Sequence, residues 1–101
     1  MNFLTMNYAV NLAIQVLPLV TAKDKYAVID DAIAKIQASG LKYTVCPFET
    51  VVEGPYDQVM KLVDDIQQTC FDAGAEELLI NMKLQRRKGK DVFIAEKTGR
   101  Y

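Results

Sequence analysis

The sequence contains no histidine and no tryptophan. Without histidine the chain lacks the commonest general base near neutral pH and the commonest transition-metal ligand, which excludes hydrolytic triads and histidine-based zinc sites. Cysteine is scarce: Cys46 and Cys70 stand 24 residues apart, neither a CxxC pair nor a disulfide framework. They read as two small buried hydrophobes in a reducing cytoplasm. Neither positive nor negative charge dominates. The net charge is −1 and the pI about 5.3, so whole-molecule attraction to nucleic acid is not expected. The apolar run from Tyr8 to Val20 is interrupted by Asn11 and Gln15, and no Lys or Arg precedes it. It is shorter than the ~20 residues that span a bilayer, and it lacks the basic flank of a signal peptide. A cytoplasmic location with no membrane partner follows as the expectation.

What is present suits one folded domain. Half of the 101 residues are hydrophobic and 25% are charged, an apolar share that disordered chains do not reach. The domain is expected over 1–101, with a core at about 8–85 and a basic C-terminal extension at 86–101. From Lys83 onward seven basic residues face only Asp91 and Glu96. This tail reads as a solvated end of the last strand.

Residues 8–18 alternate, with Val10, Leu12, Ile14 and Val16 on one side, which is the period of a strand; Pro18 is expected to end it. Asp24 can cap a helix running to about Ser39, with Tyr26, Ile29, Ile33 and Ile36 as its apolar stripe and Gly40 as its stop. Two short strands, Lys42–Cys46 and Glu49–Glu53, flank a reversal at Pro47. Gly54-Pro55 opens a second helix, whose Val59, Leu62, Val63, Ile66, Cys70 and Ala73 share one face, and Gly74 closes it. Leu78, Ile80, Met82 and Leu84 then alternate in a last strand. Asp91–Lys97 fits a short strand or a helical turn equally well. The order βαββαβ, with one apolar stripe per helix, predicts an α+β fold: the ferredoxin-like two-layer sandwich with antiparallel sheet order 4-1-3-2.

Helices on one side leave the other sheet face open. Ala9, Asn11, Ala13, Gln15 and Leu17 of the first strand, with Leu79, Asn81, Lys83 and Gln85 of the last, are too apolar for solvent and too polar for a core. A second copy covering them is expected, as a dimer of dimers. The face offers no aromatic platform for RNA bases. The loop after the first strand has neither the Arg and Gly of a phosphate-handling enzyme nor a CxxC for metal transfer. No residue pair has the spacing of a catalytic set, and no metal site is expected.

Polar residues bracketed by apolar strand positions are the informative ones, because burial without a partner costs about 1–3 kcal/mol. Gln15 and Asn81 qualify, and their amides can donate and accept to a planar heterocycle. Thr50 reads as the helix-facing member of its strand, since Glu49 and Glu53 would be costlier to bury. Glu53 can balance a cationic ligand, and Tyr43 can offer a hydroxyl and a ring face, with Tyr26 a weaker counterpart.

The segments Gln15-Val16-Leu17-Pro18, Ser39-Gly40-Leu41-Lys42-Tyr43, Pro47-Phe48-Glu49-Thr50-Val51-Val52-Glu53-Gly54, Asp57-Gln58-Val59 and Asn81-Met82-Lys83-Leu84 resemble the thiamine-binding, YkoF-like family of small ferredoxin-like proteins. The resemblance covers about 8–85. It implies a non-catalytic binder of thiamine or its hydroxymethylpyrimidine part, tetrameric, with thiamine as ligand rather than cofactor. Carried over by position, it implies Gln15, Tyr43, Thr50, Glu53 and Asn81 as the binding residues. The segment Gln85–Tyr101 does not match the family's usual final helix. The competing expectation is a structural or regulatory, ACT-like interaction domain whose open face only drives assembly.

Overall fold

The structure, a computed structural model, describes residues 7–101; the first six residues of the expected 1–101 domain lie outside it. The chain runs β1 (Ala9–Thr21), α1 (Lys25–Ala38), β2 (Lys42–Val45), β3 (Thr50–Pro55), α2 (Tyr56–Asp72), β4 (Ala75–Gln85) and a four-residue α3 (Ala95–Thr98). The four strands form one antiparallel sheet in the order β2-β3-β1-β4, which is the expected 4-1-3-2 read from the other edge.

One alternation in β1 organises the core. Val10, Leu12 and Ile14 are buried against both helices, together with Val52 of β3. The stripe of α2 is the expected one: Val59, Leu62, Val63, Ile66 and Cys70 are all buried. Helix α1 starts where Asp24 accepts a hydrogen bond from the Tyr26 amide at 3.0 Å. Its buried residues, however, are Val28, Ala32 and Ile36, one step round from the expected stripe. The small Ala32 in the middle of that contact lets the helix lie on the sheet, while Ile29 and Ile33 stay half-buried at its flank and Tyr26 is 65% exposed. Gly74, at φ +112°, turns the chain from α2 into β4, a conformation that residues with a Cβ rarely adopt.

Pro18 does not end β1. The strand continues to Thr21, with register irregularities around Val20. Strand β3 stops at Thr50, opposite Ile14, so Pro18 lies where β1 has a neighbour on one side only. A residue without an N–H is tolerated at such an edge.

The basic tail is not a solvated strand end. After Gln85 the chain folds back as a strap over one end of the open face. Val92 is fully buried. Its N–H donates to the Ala9 carbonyl at 3.0 Å, and its own carbonyl accepts from Asn11 Nδ2 at 2.9 Å. Asp91 Oδ1 accepts from the Ala9 amide at 2.7 Å, and Glu53 Oε1 accepts from the Ile94 amide at 2.6 Å. Asn11, expected on an uncovered face, is therefore buried. The ambiguous stretch from Asp91 resolves into the strap and the single turn of α3.

Two outcomes follow. Val92→Ala should lower folding stability by about 1–3 kcal/mol, read as a shift of the urea midpoint at unchanged slope; an unshifted midpoint would mean that the strap does not pack. Glu96 accepts from the Phe93 amide at 2.7 Å and from Arg87 at 3.0 Å, and these bonds, the backbone one foremost, hold its carboxyl below the ordinary glutamate range. Its contribution is thus complete above the unfolded pKa, about 4.3, and is lost as pH falls through the lower folded value. The protection of the Phe93 amide, its exchange rate relative to the intrinsic rate at the same pH, should fall over that acidic interval, and Glu96→Gln should remove that fall.

Candidate ligand site

The unequal lengths of β1 and β3 create the most chemically equipped cleft of the described residues. Beyond Ile14, β1 pairs with β4 on one side and, among the described residues, with no strand on the other. The turn Cys46–Glu49, closed by a Cys46 N–H to Glu49 carbonyl bond of 2.9 Å, lies across the gap. On the open face the gap forms a cavity of about 440 Å³ bordered by Ala13, Gln15, Phe48, Glu49, Asn81 and Lys83. On the helix face it continues as a groove of about 290 Å³ between β1, the turn and the Tyr26, Ile29 and Ile33 flank of α1. Gln15, Phe48 and Glu49 border both.

Gln15 and Asn81 are register partners on β1 and β4, and Asn81 Nδ2 donates to Gln15 Oε1 at 3.2 Å. That bond uses one donor and one acceptor, leaving Gln15 Nε2 and Asn81 Oδ1 for a ligand. Thr50 is helix-facing, buried at 7% exposure, and borders the groove. Its hydroxyl makes no protein hydrogen bond among the described residues. Glu49 faces Lys83 at 3.9 Å, a loose, partly exposed pair that leaves its carboxylate open to a cation.

Of the five expected residues, Gln15 and Asn81 border the open-face cavity, and Thr50 borders the helix-side groove, which Gln15 also reaches. Tyr43 stands on β2 beside Val52 and borders neither cavity. Glu53 is at the far end of β3, occupied by the Ile94 amide and, at 3.9 Å, by Lys42. Glu49 and Phe48, which are not among the five, also border both cavities. Once Thr50 is assigned to the helix side, strand alternation puts Glu49 on the face of Gln15, and that signal was available. A cavity of similar size between α1 and α2 is bordered by Lys35, Gln58, Lys61 and Asp65. There Lys61 bonds Asp65 at 2.7 Å and holds its carboxyl below the ordinary range, so the one carboxylate of that lining is already paired.

Comparison with known proteins matches residues 12–101 to the family described as thiamine-binding protein. The chain belongs to that family. The match extends through the strap to Tyr101, further than the 8–85 over which the residues alone suggested a resemblance. A member of the UPF0045 family from Clostridium perfringens is 35% identical over 91 residues, covering 90% of this chain and 95% of that protein. Among solved structures, a DUF77 domain of unknown function from Bacillus cereus is 39% identical with a TM-score of 0.89, covering 96% of this chain and 93% of that one. A Thermotoga maritima protein, provisionally described as acting in thiamine biosynthesis or salvage, is 31% identical with a TM-score of 0.80, covering 92% of this chain and 98% of that one. No described helix is long and apolar enough to cross a membrane.

The groove wall carries one accessible thiol. Cys46, half-buried, borders the groove, whereas Cys70 is fully buried and burial raises its thiol pKa. Native protein should therefore take up one maleimide at Cys46, with Cys70 labelled only after denaturation; equal labelling of both would contradict this burial.

Proposed function

We propose that the chain binds thiamine, or its aminopyrimidine half, without turning it over, at the cleft where β1 outruns β3. The observation that carries this is that Gln15 and Asn81, with one amide donor and one amide acceptor left over, border the open-face cavity with the Glu49 carboxylate, while the unbonded Thr50 hydroxyl borders the adjoining groove that Gln15 and Glu49 also line. An aminopyrimidine presents ring nitrogens that accept and an amine that donates, which amides and hydroxyls read directly. The thiazolium half is a cation, and Glu49 with the ring of Phe48 suits it. Glu49 thus takes the part expected of Glu53. The family's description by a ligand rather than a reaction supports a non-catalytic role, and the Thermotoga maritima relative supports the link to thiamine. Two free cysteines agree with a cytoplasmic setting. Self-association through the part of the sheet that the strap leaves bare, where Leu79 is 48% exposed, belongs to the same proposal, as a dimer of dimers.

Isothermal titration should show saturable binding of thiamine, tighter than that of its diphosphate, because Lys83 is the one cation bordering the open-face cavity and the Glu49 carboxylate beside it repels phosphate. Thr50→Val should weaken binding about tenfold, equivalent to ~1.4 kcal/mol, with little change in Tm. Absence of both heat and thermal stabilisation at saturating thiamine would leave an assembly domain as the better description.

A further inference from the structure

The main chain of β1 carries a recognition element of its own inside this cleft. In an antiparallel ladder, residues alternate between those whose N–H and C=O point to one neighbouring strand and those that point to the other. The closing bond between Cys46 and Glu49 sets the phase. Glu49, Val51 and Glu53 direct their main-chain groups toward β2, so Thr50, Val52 and Gly54 direct theirs toward β1. Their partners Ile14, Leu12 and Val10 therefore use their main-chain groups on the β3 side. The bond from the Tyr56 amide to the Tyr8 carbonyl at 3.1 Å confirms the parity, as does the engagement of Ala9 on the opposite side by Val92 and Asp91. Continued along β1, the next residue pointing to the β3 side is Val16, and β3 has ended.

Val16 borders the groove, and no hydrogen bond to its N–H or C=O is present among the described residues outside the sheet ladder. One donor and one acceptor of a single residue thus lie side by side, aimed into the cleft next to the Thr50 hydroxyl. We propose that this free edge binds the amidine-like edge of an aminopyrimidine: the ring nitrogen accepts from the Val16 N–H, and the neighbouring exocyclic amine donates to the Val16 carbonyl. This rests on the function proposed above and specifies which face of the ligand is read. A ring fits better than an added peptide strand. The next residue of the same phase is Pro18, which has no N–H, and the register is irregular immediately beyond it. Only one residue of ladder is on offer, whereas strand addition draws on several.

Two measurements test it. In the free protein the Val16 amide should exchange with solvent much faster than those of Gln15 and Leu17, which point to β4, and thiamine or 4-amino-5-hydroxymethyl-2-methylpyrimidine should slow Val16 about tenfold or more. Val16→Pro removes the N–H on the side where the sheet needs none and should weaken both ligands about tenfold or more, whereas Val16→Ala, which keeps it, should stay within about threefold. An analogue with the exocyclic amine replaced by oxygen should bind intact protein more weakly and should not distinguish Val16→Pro from it. If the intact protein binds thiamine but the Val16 amide is slow when free, or is unchanged by ligand, the main-chain contact is overturned and the proposed function stands. If the intact protein binds neither compound, both fall.

Discussion

A strand of 13 residues lies between partners of six and eleven, and this mismatch governs the rest of the molecule. Over its first half, β1 is a central strand whose main chain is fully used and whose alternate side chains build the core. Past Ile14 it becomes an edge. Edge strands carry unpaired N–H and C=O groups that must be covered, blunted or used. Here Pro18 and the irregular register blunt the outer part, and the turn after β2 leans over the inner part without bonding to it. The cleft is what remains between covering and pairing. The polar residues that border it come from segments fixed for other reasons: Gln15 from the central strand, Asn81 from its partner, Thr50 from the last rung of the shorter strand.

The open face shows the complementary problem. A sheet with helices on one side must hide a half-apolar surface, and the chain supplies part of the cover itself. Val92 enters that surface as an apolar plug, while Asp91, Asn11, Glu53 and Glu96 hold main-chain groups on both sides of it. Two carboxylates that composition alone marks as solvated charge, Glu53 and Glu96, are therefore structural acceptors for amides. Arg86, in the basic turn, stacks on Tyr56 at 3.8 Å from the ring centre and ties the start of the strap to the start of α2.

Much of the fold was legible because short-range periodicity and long-range packing agree in β1, α2 and the first half of β4, where Leu78 and Ile80 pack on the core while Met82 and Leu84 further along stay exposed. They part company in α1, where Ile29 and Ile33 are more hydrophobic than Ala32 and so dominate a pattern reading, yet the helix docks through the smaller residue. Pro18 reads as a terminator because proline ends most strands; its tolerance here depends on where β3 stops, which is tertiary information. The strap was illegible for a related reason. Residues 86–98 carry one buried side chain, Val92, too few for any period, and its attachments run to residues about 80 positions away. Within the site, the amides were visible as polar residues in apolar strands, and Thr50 through the cost of burying its glutamate neighbours. Tyr43 and Glu53 carry the right chemistry on strands that deliver them elsewhere, and no local pattern distinguishes Glu53 from Glu49.

The joint between sheet and strap is also imperfect in one atom. Asn11 donates through Nδ2, but its buried Oδ1 has no partner among the described residues, and such an orphan costs about 1–3 kcal/mol. The clasp is therefore held well below the strength its burial would allow. The strap lies outside the four-stranded layer, and its end at Tyr101 is 99% exposed. The C-terminus is accordingly the place where an added segment would disturb the molecule least, and where a tighter clasp could be engineered by giving that single oxygen a donor.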